Sequence, residues 1–155
     1  MQNTLELRRY TSEDKETVLR LHVHALQDTG VYLGRGPWDD DLDHIEDIYL
    51  RGGEFLVALL DRKIIGMGAL KYIGPDRGEL KRMRVDPEFQ RRGFGQMILD
   101  RLEERARELG FRILQLDTGT LQVAAQKMYE NNGYKEIRRE ERGKFMLIFY
   151  EKNLV

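Results

Sequence analysis

Residues Val85 to Gln96 read V-D-P-E-F-Q-R-R-G-F-G-Q, and this stretch decides the fold. An apolar, strand-like run stops at Pro87. Two arginines and two glycines then lead into a segment where Phe94, Ile98, Leu102, Ala106 and Leu109 recur at helical spacing, closed by Gly110. A glycine-rich turn at a helix start leaves several backbone N–H groups without partners, all pointing at one spot, and the helix dipole adds partial positive charge there. The turn is therefore suited to a phosphate group. Two familiar glycine motifs do not fit it. The dinucleotide fingerprint G-x-G-x-x-G needs a third glycine where this chain has Ile98, and the P-loop needs G-K-[ST], which is absent.

Working outward, Glu79–Val85 reads as a strand whose apolar positions change parity, from Leu80 to Met83 and Val85. A regular strand keeps one parity, so either a β-bulge supplies the slip or this is an edge strand whose arginines face water. Before it lie two strand-like runs, Phe55–Leu60 and Ile64–Tyr72, joined hairpin-fashion by Asp61-Arg62-Lys63. Leu5, Leu7 and Tyr10 suggest a first strand. Thr11 and Ser12 offer caps for a helix carrying Val18, Leu21, Ala25 and Leu26. Thr29–Trp38, with three glycines and a proline, reads as loop, and Asp39–Tyr49 as a second helix with Leu42, Ile45, Ile48 and Tyr49 in one stripe. After Gly110 come a strand at Ile113, Leu114 and Leu116, a helix over Val123–Asn131 ending near Gly133, and a closing strand at Phe145–Tyr150. The crossover through Phe94–Leu109 makes strands 79–85 and 112–117 parallel neighbours.

Composition sets modest bounds. The 155 residues contain no repeat or linker and read as a single domain spanning 1–155, large enough to bury a core without staples. With 26 Lys+Arg against 27 Asp+Glu, the formal net charge of -1 gives no reason to expect a nucleic-acid partner. There is no cysteine, which excludes disulfides, thiolate metal sites and a cysteine nucleophile. His22, His24 and His44 lack metal-site spacing, so no metal is expected. No apolar signal segment or membrane span stands out, and the expectation is a cytoplasmic protein, monomer or homodimer, with no membrane partner.

Two motifs carry a resemblance. Gln90-x-x-Gly93-x-Gly95 resembles the Q/R-x-x-G-x-G/A pyrophosphate loop of the GCN5-related N-acetyltransferase (GNAT) superfamily. Ala125-Gln126-Lys127-Met128-Tyr129-Glu130-Asn131-Asn132-Gly133-Tyr134 looks like that family's A-x-x-L/M-Y-E-x-x-G-F/Y motif at the expected distance. The family's frequent Asn three residues before the alanine is Gln122 here. The resemblance is strongest over Ile64–Tyr134; Met1–Gly53 matches only in the order of helix and strand.

The resemblance implies an α/β fold: a central, mixed but largely antiparallel sheet with a splayed parallel strand pair, flanked by helices. It implies acetyl-CoA as co-substrate, its pyrophosphate held by Gln90, Arg91, Arg92, Gly93, Phe94, Gly95 and Gln96. Its pantetheine arm would bond like an extra strand to Met83, Arg84 and Val85, with Gln122 nearby. The implied reaction is direct acetyl transfer to a primary amine, with Glu79 relaying the amine's proton through water and Tyr129 protonating the leaving thiolate. The acceptor is expected to be a small-molecule amine; a protein N-terminus or lysine is the alternative, as is a non-catalytic CoA-binding regulatory domain.

One further feature is open in the sequence. Residues 39–47 hold six acids after the only tryptophan. They read either as a solvated helix start facing the dipole or as an acidic wall, with Tyr32, Trp38 and Asp43 binding a cationic acceptor.

Overall fold

The computed structural model describes residues 4–30, 34 and 37–155. Seven strands form one sheet: β1 (Leu5–Arg9), β2 (Glu54–Leu60), β3 (Lys63–Gly74), β4 (Arg77–Val85), β5 (Ile113–Gly119), β6 (Lys135–Arg142) and β7 (Phe145–Asn153). The helices are α1 (Lys15–Thr29), α2 (Ile45–Ile48), α3 (Phe94–Glu108) and α4 (Val123–Asn131), with short 3-10 turns at Ser12–Asp14, Pro37–Asp43 and Pro87–Phe89. The order across the sheet is β1-β2-β3-β4-β5-β7-β6, antiparallel throughout except for the β4–β5 pair. This is the mixed, mostly antiparallel α/β architecture that the sequence implies.

Strand alternation sends residues to two cores. On one face Leu56, Leu70, Leu80, Leu114 and Leu116 pack against Ile98, Leu99 and Leu102 of α3 and Tyr129 of α4. On the other, Phe55, Val57, Met67 and Ala69 meet Val18 and Leu21 of α1 and Ile45 of α2. β2 is buried along its whole length, as a strand covered on both faces must be. Its hairpin to β3 turns on Asp61 and Arg62, both at positive φ (51° and 69°), the left-handed pair a tight two-residue hairpin requires.

Two features of β4 shape everything downstream. β4 and β5 pair only from Arg77 to Glu79, opposite Ile113 to Gln115, and then diverge. Just past the fork the register with β3 slips: Lys81 faces Ala69 and Arg84 faces Met67, so Arg82 and Met83 stand opposite Gly68 alone. That is a β-bulge, with Arg82 left-handed at φ 58°. Gly68 makes room for it, since a Cβ there would meet the Met83 sulfur at 2.6 Å and Ile98 at 2.7 Å. β4 is thus an interior strand, and the edge-strand alternative does not hold.

Two segments differ from the sequence pattern. The expected helix over Asp39–Tyr49 is a 3-10 turn followed by one short α-helix, because His44 breaks the run at φ -136°, ψ 42°. Asp39 and Asp41 also turn inward to bind His22 and Arg82 instead of lining a solvated helix face. β6 was not expected at all: K-E-I-R-R-E-E-R offers one apolar side chain. As the outermost strand it pairs on one side only and leaves most of its length in water.

Candidate active site

The glycine turn forms as its sequence suggests. Arg91 and Gly93 both take positive φ (65° and 83°), which swings the chain into α3 at Phe94. The first helical bond beyond the turn runs from the Met97 N–H to the Gly93 carbonyl at 3.1 Å, so the N–H groups of Phe94, Gly95 and Gln96 precede the ladder. Among the described residues no side chain caps this 15-residue helix, and no acid occupies its first turn. Gly95 is informative for a different reason. A Cβ there would meet only ordinary contacts, Met128 at 3.5 Å and Val85 at 3.7 Å, so the fold itself does not require glycine at that place.

Gln90, Arg91, Gly93, Phe94, Gly95 and Gln96 line a cleft of about 650 Å³ that runs along Met83, Arg84 and Val85 and is walled by α1 and the start of α4. Arg92 stands apart, its guanidinium over the Phe89 ring. Gln96 and Asn132 exchange side-chain hydrogen bonds, both 2.8 Å, tying the start of α3 to the end of α4. Gln122 lines this cleft, and its carbonyl accepts from Thr118 Oγ1 and the Gly119 N–H, clamping the end of β5 to α4. On the β4 edge, the Val85 carbonyl accepts from Gln90 Nε2 at 3.1 Å and the Met83 carbonyl from Arg84 Nη1 at 2.9 Å.

A second, smaller cleft of about 270 Å³ opens from the diverging strands, lined by Lys81, Arg82, Arg84, Asp117, Gln122 and Tyr129 among others. Met83, Arg84, Gln122 and Ala125 line both clefts, so the two meet at the fork. Tyr129 is buried there, its ring edge-on to Tyr134 with centroids 5.6 Å apart. Burial pushes its hydroxyl up to about 12, with the nearby Arg84 cation pulling the other way, so it stays protonated and can donate. Glu79 lines neither cleft. It stands at the apex where β4 and β5 last pair, accepting from Gln115 at 3.4 Å and lying 3.9 Å from Lys81 Nζ.

The acidic run does not form a wall of free carboxylates. Asp41 accepts from Arg82 Nε at 2.9 Å and from the Tyr49 hydroxyl, and Asp39 contacts His22 at 2.9 Å and Arg82 at 3.7 Å. Burial alone would raise Asp41, but the Arg82 guanidinium outweighs it and holds the carboxyl below its ordinary value. Asp43 is 4.0 Å from Lys15 and lines neither cleft. Tyr32 and the side chain of Trp38 lie outside the described residues. The sequence reading overlooked two groups of the second cleft, Asp117 and the Arg84 side chain. Strand alternation could have placed Asp117, because Leu116 and Thr118 point into the sheet's packed face and Asp117 points away from it.

A sequence description of the acetyltransferase (GNAT) family matches residues 17–134. The chain belongs to that family. Human N-acetyltransferase 8 is 32% identical over 120 residues, covering 68% of this chain and 53% of that protein. The chain spans about half the length of the curated relatives it matches. A GNAT-family acetyltransferase from Staphylococcus aureus Mu50 superposes with a TM-score of 0.90 at 25% identity, covering 98% of this chain and 100% of that one. YncA from Salmonella typhimurium, solved with its cofactor acetyl-CoA, shares the fold at a TM-score of 0.79 and 18% identity, covering 99% and 95% of the two chains. No helix among the described residues is long and apolar enough to cross a membrane.

The charged layer behind the fork has a pH signature. Burial, with Arg84 and Arg82 close by, pushes the His22 imidazole well below its ordinary 6.5, despite the opposing pull of Asp39. The folded chain therefore keeps His22 neutral while the unfolded chain protonates it below about pH 6.5. Stability is present above that pH and falls as pH drops toward the depressed folded-state value. Thermal melts at pH 7 and pH 5 should show a smaller loss of Tm in His22→Gln than in the wild type; equal losses would mean that His22 is not the titrating group.

Proposed function

We propose that this chain is an acetyl-CoA-dependent N-acetyltransferase that moves the acetyl group directly to the primary amine of a small molecule. The observation that carries the reading is the meeting of the two clefts at Met83 and Arg84, beside the Tyr129 hydroxyl. One cleft ends at the start of α3, which no described side chain caps and which fits a pyrophosphate, and the other opens between the diverging strands. Family relatives named N-acetyltransferases support it as well. A cytoplasmic setting belongs to the same proposal.

The phosphate turn fits a CoA pyrophosphate: three leading N–H groups of α3, the positive end of its dipole, and a glycine at 95 that leaves room for a ligand. When bound, acetyl-CoA supplies a thioester whose acetyl carbon bonds to the amine nitrogen as its C–S bond breaks. The backbone of Met83–Val85 would hold the pantetheine arm as an added strand, in competition with the Gln90 and Arg84 side chains that occupy its carbonyls. The Met83 N–H would donate to the thioester oxygen as charge builds there.

Glu79, through water, would accept the proton that the amine gives up. Tyr129 would donate to the departing sulfur. A hydroxyl near 12 facing a thiol of ordinary pKa near 8.5 makes full proton transfer uphill by several kcal/mol, so a hydrogen bond to the forming thiolate is its main contribution. No covalent acetyl-enzyme is needed, and the chain has no cysteine to form one.

Binding and turnover test this separately. Gly95→Asp puts a carboxylate where the pyrophosphate should sit without straining the backbone, and calorimetry should show CoA affinity reduced at least tenfold, about 1.4 kcal/mol. Unchanged affinity in the folded variant would remove the turn from the cofactor site. Tyr129→Phe should lower kcat by about 10²-fold with CoA binding intact; a change within twofold would leave Tyr129 as a packing residue. Glu79→Gln should lower the rate most near neutral pH and recover partly at high pH, where the amine is already neutral. A pH profile parallel to the wild type would exclude Glu79 as the base.

A further inference from the structure

The charge of the acceptor cleft points to its substrate class. Lys81, Arg82, Arg84 and Arg142 line it, and Asp117 is the one carboxylate among the described residues that do. Three of these cations have carboxylate neighbours. Arg82 binds Asp41 and Asp39, Arg142 binds Glu140, and Lys81 lies 3.9 Å from Glu79.

Arg84 differs. Among the described residues it makes no ion pair. Its Nη1 donates to the Met83 carbonyl, and its buried Nε has no partner. A half-buried guanidinium without an anion is costly, and the cost falls when a carboxylate arrives with two acceptor oxygens. Asp39 and Asp41 act on Arg84 only across space, because both are already bound to His22 and Arg82.

The position of Arg84 says which reactant brings that anion. It pairs with Met67, whose side chain packs with α1 and α2, so it leaves β4 on that side of the sheet. Met83 and Val85 face the opposite side, toward α3. The turn that suits the cofactor's phosphates is five or more residues further along, at Gln90–Gln96, and lines only the larger cleft. Arg84 lines both clefts, at the place where an acceptor nitrogen has to reach the thioester.

We propose that the acceptor is a free amino acid, whose carboxylate is held by Arg84 while its amino group faces Asp117. This rests on the transferase reading above. In an α-amino acid a single carbon separates amine from carboxylate, so an anion seated on Arg84 delivers the nitrogen to the fork. A peptide N-terminus carries a neutral amide in that place and leaves Arg84 unpaired. A polyamine places a second cation against a cleft already lined by cations. The volume, about 270 Å³, lies just under the roughly 300–1,000 Å³ of pockets for drug-sized ligands and suits an acceptor of amino-acid size.

The test uses the purified chain with saturating acetyl-CoA and pairs of acceptors: a panel of L-amino acids, each beside its own carboxamide, with spermidine as a cationic control. Release of free CoA gives kcat/KM for each. At least one amino acid should be preferred over its carboxamide by tenfold or more, although the carboxamide's amine is the less protonated. Arg84→Met should abolish that preference through the acceptor KM, and Arg84→Lys should restore part of it. Equal or reversed preference in the wild type overturns the proposal, and so does a folded Arg84→Met that keeps the preference. A uniform fall in kcat across both members of each pair would assign Arg84 to the leaving thiolate and overturn it too. Turnover of carboxamides or spermidine alone would sink the acceptor class but leave the transferase standing. If CoA binds and no amine of any class is acetylated, both readings fail together. The wild-type comparison decides even if the variants do not fold.

Discussion

The structure depends on a strand that stops pairing. β4 holds β5 for three residues and then releases it, and the bulge at Arg82 turns the freed edge of Met83–Val85 into the gap. Backbone groups that a continuous sheet would consume become available for a ligand, which is how an extended molecule can add to a sheet edge. A left-handed conformation at a non-glycine residue costs on the order of 1–3 kcal/mol. Here the same residue secures the bulge, because the Arg82 side chain reaches 41 residues back to Asp41.

That long-range pair sets the electrostatics of the site. Arg82 and Asp41 side chains are only 12% and 14% exposed, and His22, Asp39 and Tyr49 complete the layer behind them. A buried ion pair of this sort contributes little net stability, since desolvation offsets most of the attraction, yet removing one partner leaves the other exposed to that cost. Its value here is placement. It fixes the bulge, offsets the charges of Asp39 and Asp41, and leaves Arg84, among the described residues, as the cation at the fork without a carboxylate of its own.

Much of this was written in local sequence. The parity slip from Leu80 to Met83 offered a bulge or an edge strand, Gln90–Gly95 predicted the turn, and the helical crossover the parallel pair; each rests on neighbours within a few residues. What the sequence did not show depended on partners far away. Asp39 and Asp41 read as a solvated helix start or as an acidic wall, since nothing local says that His22 and Arg82 take them. β6 has one apolar side chain because only β7 covers it. Arg84 reads as any strand arginine until the divergence of β5 places two clefts beside it. The roles of Glu79 and Tyr129 came from the family resemblance; in the structure Tyr129 lines the smaller cleft, while Glu79 stands one step back at the apex.

Backbone amide hydrogen exchange, measured with and without CoA, tests most directly whether the fork and the helix start act as one cofactor site. The account predicts slowed exchange at Met83–Val85 and at Phe94–Gln96 together, with little change on β1, β2 or β6. Slowing at only one of the two segments, or at neither while CoA is bound, would contradict it.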